Sequence, residues 1–197
     1  MTSRTSLARM TVKDWLDILA YPSPIGAGGS AAGVAGAQGA ALLAMVAGVL
    51  VKRKKREGLP AHAQRWDEIS HSAVVVAQTL LELAQQDLDV VSEARESEKL
   101  LQGPLEMAHI ISSSMTWVMQ MANEELGVLA PDVLTAFRLM EAASKGLYAI
   151  AMSNGTTYQT ERVTQSARDT GRVFESARLS LMRWEPDDGR YGEGGSS

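Results

Sequence analysis

The stretch Tyr21–Lys55, YPSPIGAGGSAAGVAGAQGAALLAMVAGVLVKRKK, decides the fold. A Pro/Gly turn opens it, an uncharged run follows, and a basic run from Lys52 closes it. A membrane span, a phosphate loop opening a helix, and a ligand-edged turn leading into a packed core helix all have this outline. The uncharged run Ala31–Val51 is long enough to cross a bilayer, with Lys52–Arg56 as its cationic flank. Its neutrality, however, comes from Gly and Ala more than from Leu, Ile and Phe. It carries Gln38, and nothing else in the chain resembles a second span. A signal peptide fits no better, because an amphipathic helix precedes the apolar run. A P-loop would need Gly-Lys-Ser/Thr after a strand, and there is none. The expectation is therefore a soluble, close-packed helix, capped by Ser30 and running to about Arg56. Gly33, Ala37, Ala40, Ala44 and Ala47/Gly48 recur along it at helical spacing. Each glycine disfavours a helix by about 1 kcal/mol relative to alanine, so Gly33, Gly36 and Gly39 together predict a backbone or ligand packed close against them.

Outward from this helix the periodicity stays helical. Thr11, with Asp14 three residues on, starts a short helix carrying Val12, Trp15, Ile18 and Leu19, and the residues before it read as polar and loose. A third helix, from about Ala61 to Glu96, has the apolar stripe Trp66, Ile69, Ala73, Val76, Leu80, Leu83/Ala84 and Val91. Asp87 falls on that stripe. Gly103-Pro104 restarts the chain into a fourth helix with Ala108, Ile111, Met115, Val118 and Ala122 on its inner face. A fifth begins at Pro131-Asp132 and is stopped by Asn154-Gly155. A sixth spans about Thr157–Met182, and from Glu185 the tail EPDDGRYGEGGSS has too little apolar content to fold. The expected architecture is all-α: an antiparallel multi-helix bundle in one domain, residues 1–184, with a disordered tail, 185–197. Helices this long in a single domain also predict a homodimer, with the small-residue stripes helping to bring subunits together.

The chain has 197 residues, 45% of them apolar, and carries a formal charge of −4 without a single cysteine. Such composition suits a core-forming cytoplasmic protein and excludes disulfides, thiolate catalysis and Cys-ligated metal. It also argues against general nucleic-acid binding. His62, His71 and His109 lack metal-ligand spacing, so no metal site is expected. Met107, Met115, Met119 and Met121 read as helix-packing residues.

From Thr11 to Lys55 the chain resembles the cyclodeaminase/cyclohydrolase family, which comprises methenyltetrahydrofolate cyclohydrolases and the cyclodeaminase domain of formiminotransferase-cyclodeaminase. The family's opening TV-D-F-LD-LA is answered by TVKDWLDILA. Its Pro-x-Pro-Gly-Gly-Gly-Ser turn is answered by PIGAGGS, Pro24–Ser30, and its helix VAALAGALGAALVAMV by AAGVAGAQGAALLAMV, Ala31–Val46. Weaker matches follow in order: Arg53 and Lys55 to a Lys-rich helix end, Asp87–Val91, Pro104–Glu106, Pro131–Phe137, and Gly146–Asn154. Departures are Gly26 for Pro, Ala27 for Gly, Gly48 for Asn, Pro131 for Ser and Ile150 for Asn.

The resemblance implies a hydrolase or ammonia-lyase acting on one carbon held between two nitrogens of a tetrahydrofolate derivative, with no additional cofactor. Such chemistry needs a carboxylate to move a proton or favour a cation. Asp132, in the first turn of its helix, and Asp87, on an apolar stripe, are the candidates. Each also has a structural reading, since Asp132 favours a helix dipole and Asp87 can be held by a neighbouring Arg or a helix terminus. Gly28, Gly29 and Ser30 are candidates to meet the substrate through backbone amides, Arg53 and Lys55 to meet its acidic tail, and Asn154 to orient it. A diverged enzyme acting on another nitrogen-containing small molecule, and a non-catalytic helical scaffold, remain as alternatives.

Overall fold

A computed structural model describes residues 6–22, 27–93 and 97–184, and among these every regular element is helical. The α-helices are α1 (Val12–Ala20), α2 (Gly28–Arg56), α3 (Pro60–Glu93), α4 (Ser97–Ser113), α5 (Met115–Ala122), α6 (Ala130–Asn154) and α7 (Thr157–Leu181). The expected tail, 185–197, and the first part of the Pro/Gly turn, 23–26, lie outside the described residues.

Helix α2 is the axis of the bundle, and its glycines set how closely its neighbours approach. A Cβ on Gly33 would stand 2.8 Å from the Ala84 Cβ and 2.7 Å from Met107 Sδ, and one on Gly36 2.6 Å from Ile111 Cδ1. One on Gly39 would stand 2.5 Å from Met140 Cγ and 2.9 Å from the Ala136 carbonyl oxygen. The close approach expected of Gly33, Gly36 and Gly39 is made by α3, α4 and α6 of the same chain. Larger residues at these positions would hold the helices at ordinary 8–10 Å separations.

Both long neighbours run antiparallel to α2 in a fixed register. Against α3, Ser30 meets Asp87, Gly33 meets Ala84, Gly36 meets Leu80, and the Ser70 hydroxyl donates to the Ala44 carbonyl at 3.0 Å. Against α6, Gly28 meets Ile150, Ala32 meets Gly146, Gly39 meets Met140, and the Arg53 guanidinium donates to the Glu125 carbonyl just before α6. Leu43, Leu50, Leu80, Ile111, Phe137, Met140 and Leu147 fill the interior with no exposed surface. Helix α7 closes the bundle through Phe174, Ala177 and Leu181, with the Phe137 and Phe174 rings 5.9 Å apart.

Local chemistry moves several boundaries from their expected places. Thr11 caps α1 as its Thr-x-x-Asp pattern requires, its side chain accepting from the Asp14 N–H and Asp14 reaching back. Ser30 does not cap α2; the helix starts at Gly28, and Ser30 lies in its first turn, turned inward. The segment before α1 is not wholly loose, because Leu7–Arg9 form a 3-10 turn with Leu7 buried and its N–H donating to Gln85 Oε1 at 2.7 Å.

Gly103-Pro104 does not restart the chain; Pro104 lies inside α4. Proline has no N–H for the carbonyl four residues back, that of Leu100. The Asn154 side-chain amide donates to this carbonyl at 3.1 Å, which tolerates the proline and ties the end of α6 to α4. The expected single helix through Ala122 is divided at Ser114, whose hydroxyl donates back to the Ile110 carbonyl at 2.9 Å. Helix α6 ends at Asn154 before Gly155, as expected.

Candidate functional site

The candidate residues singled out in the sequence fall at the two ends of α2. At its N-terminal end, Ser30 is fully buried and its hydroxyl donates to Asp87 Oδ2 at 3.1 Å. The Ser30 backbone N–H also donates to the Asp87 carboxylate. The first-turn amides of a helix have no intrahelical acceptors, so a carboxylate from α3 completes one of them and sits in the favourable end of the helix dipole. Gly29 makes this possible: a Cβ there would stand 2.4 Å from Asp87 Oδ2 and 2.8 Å from Cγ. Gly28 is exposed beside the half-buried Ile150, whose Cδ1 would be 3.3 Å from a Cβ on it. The Asn154 amide, one turn further along α6, is engaged with Leu100. This end thus gathers Gly28, Gly29, Ser30 and Asp87, with Ile150 as an apolar wall and Asn154 holding the adjoining helix.

The other end gathers the cations. Arg53 donates to the Glu125 carbonyl, Lys54 bridges Glu124 at 2.9 Å and Glu57 at 3.2 Å, and Lys55 is exposed. Arg183, from beyond α7, donates to the carbonyls of Ala122 and Glu124. Much of the basic run therefore fixes the α5–α6 connection. Asp132 is half-buried in the first turn of α6, the turn that lies nearest this end. With 1.5 Å rise per residue, Arg53 lies about 37 Å along α2 from Gly28, and Asp132 about 33 Å along α6 from Asn154. Asp87 and Asp132 are therefore not brought together within one chain.

Removal from water pushes the Asp87 carboxyl above its ordinary range, against the two Ser30 hydrogen bonds that pull it down. Among the described residues no cation offsets the cost of burial, and the carboxyl is poised to hold or take a proton nearer neutrality than a surface aspartate. The folded chain then binds more protons than the unfolded chain between the ordinary aspartate value and the raised one. This contribution to stability is complete below the ordinary value and is lost as pH rises through the folded one. Stability of the wild type relative to Asp87→Asn is expected to fall across that window, measured by thermal unfolding at several pH values. A pH-independent difference would show a carboxylate that titrates normally.

A groove of about 360 Å³ runs beside this end along α3, lined by Gln78, Leu81, Gln85 and Gln86 with Ser6 and Ala8 opposite. It abuts Asp87 in sequence, although Asp87 does not line it. Among the described residues no group of three or more His, Cys, Asp or Glu side chains is arranged to hold a metal ion. Sequence reasoning passed over Gln85, whose one signal was its place one turn from Leu81, and took Pro104 for a helix start, whereas it lies inside α4.

The chain is a helical bundle whose axial helix opens on Gly-Gly-Ser against a carboxylate, and part of it matches a known family. The formiminotransferase-cyclodeaminase family model matches residues 11–103, from the capping threonine of α1 to Gly103 within α4. The crystal structure of formiminotetrahydrofolate cyclodeaminase from Thermotoga maritima superposes with a TM-score of 0.68 at 20% identity, covering 90% of this chain and 96% of that one. No curated protein matches in sequence. The family match thus covers the first three helices and the start of α4, and the structural match shows a shared fold over nearly the whole chain.

Proposed function

We propose that this protein is a cytoplasmic enzyme, folded as one helical domain over residues 1–184, that acts on a tetrahydrofolate one-carbon adduct. The observation that carries the reading is the Asp87 carboxylate held by Ser30 at the mouth of α2, in the part of the chain that the family model covers. In the cyclohydrolase sense, water adds to the cationic methenyl carbon, and Asp87 first stabilises the cation and then accepts the proton that water loses. In the cyclodeaminase sense, the second folate nitrogen attacks the formimino carbon, ammonia leaves with the proton that a protonated Asp87 delivers, and the carboxylate so formed takes up the proton that the attacking nitrogen loses. A raised pKa suits both roles. The exposed Gly28 and the first-turn amides behind it meet polar edges of the ligand, and Ile150 packs against its flat face.

Asp132, Arg53 and Lys55 enter this site only from a second subunit. Helix α2 presents an outward apolar strip of Ala41 and exposed Met45, flanked by half-buried Val34, Leu42 and Val49. A helix apolar on every side calls for cover on every side. Two copies of α2 packed antiparallel about a two-fold axis near Ala41 place Gly28–Ser30 of each copy beside Arg53 and Lys55 of the other. The cations then meet the acidic tail of the substrate, and Asp132 approaches from the partner.

The test is the loss of methenyltetrahydrofolate absorbance and the release of ammonia from formiminotetrahydrofolate. One of the two is expected above background, and neither, in folded protein, sinks the folate reading. Mixing inactive Asp87→Asn with inactive Asp132→Asn tests the shared site. Random reassortment of dimers should restore roughly a quarter of wild-type turnover, whereas no recovery would put each site within one chain.

A further inference from the structure

A second groove, of about 490 Å³, lies between α4 and α7. It is distinct from the site at Gly28. Tyr148 stands at its base, two residues before Ile150 on α6, so the two side chains point to opposite sides of a helix about 10 Å thick. His109 and Ser112 line the groove from α4, and Arg162, Ser166, Asp169 and Thr170 line it from α7.

The charges within it do not cancel. Asp169 is engaged by the Gln165 amide at 3.1 Å and by Arg172 at 3.0 Å, a residue outside the groove. Arg162 has no carboxylate partner among the described residues, and His109 adds a ring with two nitrogens. The hydroxyls at the base leave a donor over as well. The Tyr148 hydroxyl is 2.9 Å from Ser166 Oγ and 2.8 Å from Thr170 Oγ1, and Tyr148 and Thr170 are both buried. Three hydroxyl protons serve two hydrogen bonds whichever group donates, so one O–H of the three is left for a further acceptor. Ser166 and Thr170 both line the groove. A spare O–H donor beside an unpaired guanidinium is the chemistry that recognises an oxyanion, which supplies acceptors only.

We propose that the α4–α7 groove is a second ligand site, taking a small carboxylate or phosphate between Arg162 and the Ser166–Tyr148–Thr170 hydroxyls. Full-length protein is titrated separately with inorganic phosphate and with succinate, at ionic strength held constant with chloride, and followed by backbone amide NMR. Saturable shifts centred on Ser112, Ser166 and Thr170 are expected with at least one of them, and which one tells phosphate from carboxylate recognition. Arg162 is exposed, so Arg162→Gln should fold as the wild type does and bind about tenfold more weakly. Ser166→Ala should weaken binding by about threefold, the loss of one neutral hydrogen bond. Shifts that never saturate, shifts centred on Gly28–Ser30, or undiminished affinity in Arg162→Gln would each overturn the proposal.

Discussion

Asp87→Asn is expected to lower turnover of the tetrahydrofolate adduct by about a hundred- to ten-thousandfold, the usual contribution of a positioned acid or base. The same variant should fold normally. An asparagine oxygen still accepts from the Ser30 hydroxyl and N–H, and the amide carries no charge whose removal from water must be offset. Its melting temperature at neutral pH should stay within about 3 °C of wild type or rise. Asp87→Ala differs, because it strands the fully buried Ser30 hydroxyl and should lose stability together with activity. The pair separates chemistry from architecture. Unchanged turnover in Asp87→Asn would take the carboxylate out of the mechanism and leave it as a tether for the start of α2.

Gly39→Ala is expected to destabilise the protein by about 1–3 kcal/mol, although alanine is the better helix former by about 1 kcal/mol. The new methyl would meet a flexible methionine at 2.5 Å, which can turn aside, and the Ala136 backbone carbonyl at 2.9 Å, which cannot. Helix α6 would have to move away from α2. Gly48→Ala is the control: the nearest atom there, Ser70 Oγ, would lie 3.7 Å from the methyl, an ordinary contact. The propensity gain is then unopposed, and Gly48→Ala should raise stability by about 0.5–1 kcal/mol. Denaturant unfolding measures both. Equal effects at the two positions would mean that the glycines of α2 do not set the spacing of the bundle.

Much of this architecture was legible in the sequence because helical periodicity and capping are local. The Thr11/Asp14 capping box, the glycines of α2, and the stop at Asn154-Gly155 all read directly. Asp87 was legible for the same reason, as a charge on an apolar stripe. What could not be read is register. Which end of α2 meets Asp87 and which meets Asp132 follows from how α3 and α6 slide along it, and the contacts that fix this are made by residues far apart in sequence. Asn154 shows the same limit. As a helix-end asparagine it suits ligand binding, yet its amide is engaged by a carbonyl that Pro104 frees, fifty residues earlier. The cations at the end of α2 suit an acidic ligand, while Arg53 and Lys54 already hold the connection before α6.

A folate ligand is expected to meet this protein at the first turn of α2. Titration with tetrahydrofolate, observed at the backbone amides of Gly28, Gly29 and Ser30, tests it most directly. Saturable shifts are expected at these three amides, weakened in Gly29→Ala, where the new methyl displaces Asp87. Saturable binding elsewhere on the protein, or none at all by the folded chain, would contradict it.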